Sequence, residues 1–128
     1  MLADRLARAQ PPADGDAVEV VYAACRLGGV EARVPGAMER RVAARVAAHL
    51  ADERRAMPMG FYAWSPELTR AWNQDRMLQT PLEDRASIGA VAEALAGDLK
   101  LRAMYQDHNV LARRLAGRRV RNDLRPVV

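Results

Sequence analysis

The sequence predicts an all-α protein: an irregular bundle of four to six helices in a single domain. Three observations lead there. Apolar residues recur at helical spacing in several windows, and helix start and stop signals bracket those windows. No two alternating runs stand close enough to pair as a hairpin, and no internal repeat is present.

Taken in order, residues 2–10 form a short amphipathic helix through Leu2, Leu6 and Ala9, stopped by Pro11-Pro12 and the polar turn Ala13-Asp14-Gly15. Asp16, with Glu19 three residues on, is the carboxylate variant of a capping box and opens a helix whose apolar face carries Val18, Val21, Tyr22 and Cys25. Gly28-Gly29 ends it. Val30, Ala32 and Val34 alternate, but Gly29 and Pro35-Gly36 close the segment too quickly for a paired strand, so it is an extended connector.

Ala37 to Ala56 contains neither glycine nor proline and predicts one helix, with Met38, Val42, Val46, His49 and Leu50 on a shared face. Met57-Pro58 and Gly60 stop it. Ser65-Pro66-Glu67 starts the next, combining a hydroxyl cap, a proline at the first helical position and an acid in the first turn. Leu68, Trp72 and Leu78 mark its apolar side, and Thr80-Pro81 its end.

From Asp84 or Ser87 to about Ala116 the pattern changes sides. Ile88, Val91, Ala92, Leu95 and Leu99 share one arc, whereas Leu101, Met104, His108, Leu111 and Leu115 share the roughly opposite one. A break at Gly97 with Asp98 capping a new helix accounts for this, as does one long helix that packs first on its own bundle and then on a partner, most simply a second copy. The break is the preferred expectation. The chain divides into an N-terminal helix and linker (1–15), a helical domain (16–116) and a basic tail (117–128).

Composition narrows function by exclusion. Half the residues are hydrophobic and 28% charged, so a packed core is expected without metal or disulfides. Cys25 is the single cysteine, and no leader-like or membrane-spanning apolar run is present, which predicts a cytoplasmic protein with no membrane association. The isoelectric point near 10.0 overstates how basic the body is. Arg113, Arg114, Arg118, Arg119, Arg121 and Arg125 stand against Asp123 in the last sixteen residues, while the remainder holds fourteen basic and fifteen acidic side chains. The near-neutral body carries an arginine-rich end suited to phosphates or to an acidic protein surface.

Met57-Pro58-Met59-Gly60-Phe61-Tyr62-Ala63-Trp64 concentrates three of the six aromatic residues in one connector. Such residues most often fill a core, and otherwise anchor a partner or line a ligand site. Phe61, Tyr62, Trp64 and Trp72, with Leu101, Met104, Leu111 and Leu115, are the candidate partner-binding residues; Arg113, Arg114, Arg118, Arg119 and Arg121 are the candidate phosphate- or acid-binding set. Asp75 falls on the predicted apolar side of its helix, where it either pairs with an arginine or serves a ligand site with Phe61, Trp64 and Trp72. The two histidines have no metal-ligand spacing, Cys25 sits on an apolar face, and no nucleophile-elbow, P-loop or dinucleotide motif occurs. No cofactor, metal site or catalytic residue is therefore expected.

The leading expectation is an accessory or interaction protein that docks on a protein partner or self-associates through the aromatic connector and the arginine-rich end. A nucleic-acid-binding regulator is the alternative, using the tail and Ser87–Gly97, which has the look of a first helix and turn in a helix-turn-helix unit. Its candidate reading helix, Asp98-Leu99-Lys100-Leu101-Arg102, opens with an acid and is a poor base-reading surface. A small-molecule-binding or catalytic domain around Phe61, Trp64, Trp72 and Asp75 is the third.

Overall fold

The computed structural model describes residues 15–82 and 85–116. The expected N-terminal helix at 2–10 and the tail arginines Arg118, Arg119 and Arg121 lie outside them. The described residues form six α-helices and no strand, in agreement with the predicted all-α bundle. In chain order these are α1 (Asp16–Leu27), α2 (Gly36–Ala51), α3 (Glu53–Ala56), α4 (Pro66–Leu78), α5 (Arg85–Ala96) and α6 (Leu99–Ala116), with a 3-10 turn at Gly60–Ala63.

Helix α1 is the hub, packing against α2, α4 and α5. Val18, Tyr22 and Cys25 are buried as the spacing predicts, but so are Ala17, Val20, Ala23, Ala24 and Leu27, so burial runs nearly all the way round. Alanines allow this, because a small side chain lets a neighbouring helix approach without displacing others. Its N-cap is Gly15 rather than Asp16. The Asp16 carboxylate instead pairs with Arg45 of α2, beside contacts from Glu19 to Arg41 (2.9 Å) and Arg45 (3.3 Å). Arg26 reaches Glu39 at 2.9 Å at the other end of the same helix pair.

The end of α1 is set by its glycines. Gly29, at φ +70°, donates to Arg26 O, and Val30 donates to Cys25 O, the paired bonds of a Schellman motif. The amide end of the Gln74 side chain from α4 occupies the space beside Gly28, where a Cβ would stand 2.4 Å from Gln74 Oε1. Val30 to Val34 then runs without helix or strand.

The single helix expected from Ala37 to Ala56 is two. Asp52, at ψ 93°, interrupts it and its Oδ1 accepts from Arg54 N at 3.1 Å, capping the one-turn α3. Met38, Val42 and His49 are buried and Val46 partly so, whereas Leu50 faces outward. The buried side of α4 is likewise rotated from the predicted one. Asn73 and Met77 are interior, Leu68 and Trp72 are half-buried, and Leu78 and Asp75 are exposed. Asn73 is admitted because its Oδ1 meets His49 Nε2 at 2.9 Å and its Nδ2 donates to Thr69 O.

Gly97 separates α5 from α6, and Asp98 Oδ1 accepts from Lys100 N (2.9 Å) and Leu101 N (3.1 Å), the predicted break and cap. Val91, Ala92 and Leu95 of α5 are buried and Ile88 half-buried, while Leu99 is exposed. On α6, Leu101 and Tyr105 pack on the core and Asn109 is buried behind them, its Nδ2 donating to Tyr105 O. Met104, His108 and Leu111 of the expected stripe face outward.

The two kinds of glycine give a test with opposite signs. Gly29→Ala places a Cβ at positive φ and is expected to cost about 1 kcal/mol, whereas Gly89→Ala, inside α5 with open space at its Cβ, is expected to stabilise by about the same amount. Urea unfolding of the two variants against the parent measures both.

Candidate functional site

The candidate site is the connector between α3 and α4. Met57 is extended ahead of Pro58, as proline requires, and ends α3. Gly60, at φ +60°, then turns the chain into Gly60–Ala63, closed by Tyr62 N to Met59 O (3.3 Å) and Trp64 N to Phe61 O (3.1 Å). Ser65 caps α4, its Oγ accepting from Leu68 N at 3.2 Å. The connector is tied to α4 by the Thr69 hydroxyl donating to Tyr62 O (3.2 Å), and α3 is tied to it by Trp72 Nε1 donating to Arg55 O (2.9 Å).

These bonds sort the aromatic residues into an inner and an outer set. Tyr62 and Trp72 are half-buried, with ring centroids 5.2 Å apart, and the Arg76 guanidinium lies 5.5 Å from the Trp72 ring centroid. Phe61 stacks on Tyr62 at 4.2 Å and meets Trp64 edge-on at 6.4 Å. Exposure reaches 81% for Trp64, 69% for Met59, 63% for Met57 and 50% for Phe61. The connector therefore does not plug the bundle, the commoner use of such residues. It rests on two aromatic rings and presents four large apolar side chains to solvent.

Asp75 is exposed and accepts from Gln79 Nε2 at 2.7 Å, so it lacks the burial that a ligand-site carboxylate on the predicted apolar side would have. An open depression of about 230 Å³ lies elsewhere, bounded by Tyr22, Arg26, Gly29 and the Val30–Val34 segment, and no residue of the aromatic cluster lines it. Among the described residues no group of three or more His, Cys, Asp or Glu is placed to hold a metal ion, and no helix is long and apolar enough to cross a membrane.

The other predicted site residues divide between two places. Arg113 and Arg114 are exposed near the end of α6. Leu101 is half-buried against the core, whereas Met104 and Leu111 are exposed at 59% and 54%. The structure thus gives the connector and the outer face of α6 as separate apolar surfaces. The sequence places Met57 and Met59 in the candidate connector, and the structure exposes both beside Phe61 and Trp64. Compared with protein-family models, curated proteins and solved structures, the chain matches none.

Glu67 stands exposed in the first turn of α4, just after the connector, and pairs with Arg70 at 3.4 Å. Its carboxyl is held below the ordinary value of 4.5, chiefly by its own backbone N–H, then by the Ser65 hydroxyl and by Arg70. A carboxyl depressed by folding adds stability that is fully present above its unfolded value and is lost as the pH falls through the folded one. Glu67→Gln is expected to be less stable than the parent at neutral pH, and the difference is expected to vanish in acid, below the carboxylate range. Thermal unfolding midpoints followed from pH 7 downward check this.

Proposed function

We propose that the protein is a non-catalytic helical interaction module that docks on a protein partner through Met57, Met59, Phe61 and Trp64. One observation carries the reading: these four side chains are exposed together on a connector that is itself held in place. Apolar side chains gathered on a fixed surface are what distinguish a docking anchor from scattered surface residues. Large apolar side chains exposed to this degree suit insertion into a concave apolar site on the partner. Pre-ordering by the Trp72 to Arg55 and Thr69 to Tyr62 hydrogen bonds lowers the entropy lost on binding.

Trp64 is the natural anchor, as tryptophan is enriched among residues that dominate binding energy, and methionine adapts to the shape it meets. Arg113, with the arginines that follow it in sequence, adds attraction for an acidic partner surface in this reading.

A photo-crosslinking residue placed at the exposed Ala63, which leaves Trp64 intact, with one at the exposed Arg40 of α2 as control, tests the proposal. Position 63 is expected to give a discrete protein adduct that position 40 does not give. Trp64→Ala is then expected to weaken binding of the identified partner by about 2 kcal/mol, roughly thirtyfold. Identical adduct patterns from the two positions, or adducts carrying nucleic acid rather than protein, would contradict it.

A further inference from the structure

The outer face of α6 is independent of the connector, and its spacing says more than exposure alone. Met104, His108 and Leu111, with Leu115 at the next position, follow intervals of four, three and four residues, the a and d spacing of a helix seam made to pack against another helix. Leu101 holds the preceding seam position, but the molecule's own core takes it up together with Tyr105. Helix α6 otherwise packs on α5, which leaves Met104, His108 and Leu111 uncovered among the described residues.

We propose that this seam is covered by α6 of a second copy, packed antiparallel. The charges that flank it select both the partner and the register. Lys100, Asp107 and Arg114 occupy successive g positions along the edge of the seam that faces away from the bundle, and all three are exposed. In an antiparallel pair, g positions face g positions. Aligning His108 with the partner's Leu111 brings Asp107 opposite the partner's Arg114, twice by symmetry.

Sliding the pair by one heptad, so that Leu111 would face the partner's Leu101, sets Lys100 against the partner's Arg114 and Asp107 against its own copy. That register repels, and it requires a leucine already engaged in the core. A parallel in-register pair would place Asp107 beside the partner's Ala112 and form no ion pair at these positions. The antiparallel register built on residues 104 to 115 is therefore the one in which seam and charge agree.

With only four seam positions per helix the dimer is weak, so it is sought by analytical ultracentrifugation of the full chain at about 100 µM, where a micromolar dissociation constant is visible. The expected mass is twice that of the chain. Leu111→Glu is expected to raise the dissociation constant on the order of 100-fold while leaving the circular dichroism spectrum unchanged, since the residue makes no core contact. Asp107→Arg is expected to weaken the dimer about tenfold, and Asp107→Arg combined with Arg114→Asp is expected to restore it to within about threefold of the parent. Trp64→Ala leaves the mass unchanged. A monomer at the highest concentration, a dimer indifferent to Leu111→Glu, a dimer lost on Trp64→Ala, or a charge swap that fails to restore association would each overturn the proposal.

Discussion

The near-complete burial of α1 is the constraint on which the other elements depend. A helix of ordinary amphipathic character meets one neighbour and solvent, whereas this one is enclosed by α2, α4 and α5. Ala17, Ala23 and Ala24 make the enclosure possible, and Gly28 extends it past the last turn to the side chain of Gln74. Polar residues on α1 are confined to places where α2 can neutralise them: Asp16 and Glu19 meet Arg41 and Arg45, and Arg26 meets Glu39. Those pairs are partly solvated and orient the two helices more than they stabilise them.

Once α1 is enclosed, the core is complete without several of the largest apolar side chains in the molecule. Tyr22, Met38, Val18 and Val42 supply its most fully buried volume. Phe61, Trp64, Met57 and Met59 lie beyond it on the connector, and Met104 and Leu111 lie beyond it on α6. Exposed apolar surface of this kind costs solubility, and folding alone does not account for it. The two surfaces differ in make-up, one a connector of aromatic and methionine side chains and the other a helix face with flanking charges. They therefore suit different occupants, a concave partner site for the first and a like helix for the second.

How much of this was legible in the sequence depended on how local each cause was. Gly28-Gly29, Ser65-Pro66-Glu67 and Asp98 act within a few residues of themselves, and each stop or start stands where its chemistry places it. The break at Asp52 has no glycine or proline to announce it, so α2 and α3 read as one helix. The buried side of α4 was misread because Trp72 and Leu78 outweigh Asn73 on any hydrophobicity pattern. Asn73 is interior because Thr69 O, one turn back, and His49, 24 residues away, supply its partners. For α1, alanine is neutral in such patterns, so enclosure by three helices reads in the sequence as one apolar face. The aromatic connector was visible as a candidate site from composition, but its outward orientation came from Gly60 and from the bonds of Tyr62 and Trp72 to neighbouring elements.

The central claim is that α1 is the element whose enclosure holds the fold together. Native-state hydrogen exchange tests it most directly, because amides in the cooperative centre open only with global unfolding, while peripheral elements open locally. The account predicts that the α1 amides from Val20 to Leu27 are the slowest in the chain, exchanging with the full unfolding free energy and its full denaturant dependence. Faster exchange of those amides than of the α2 or α6 interior, with little denaturant dependence, would contradict it.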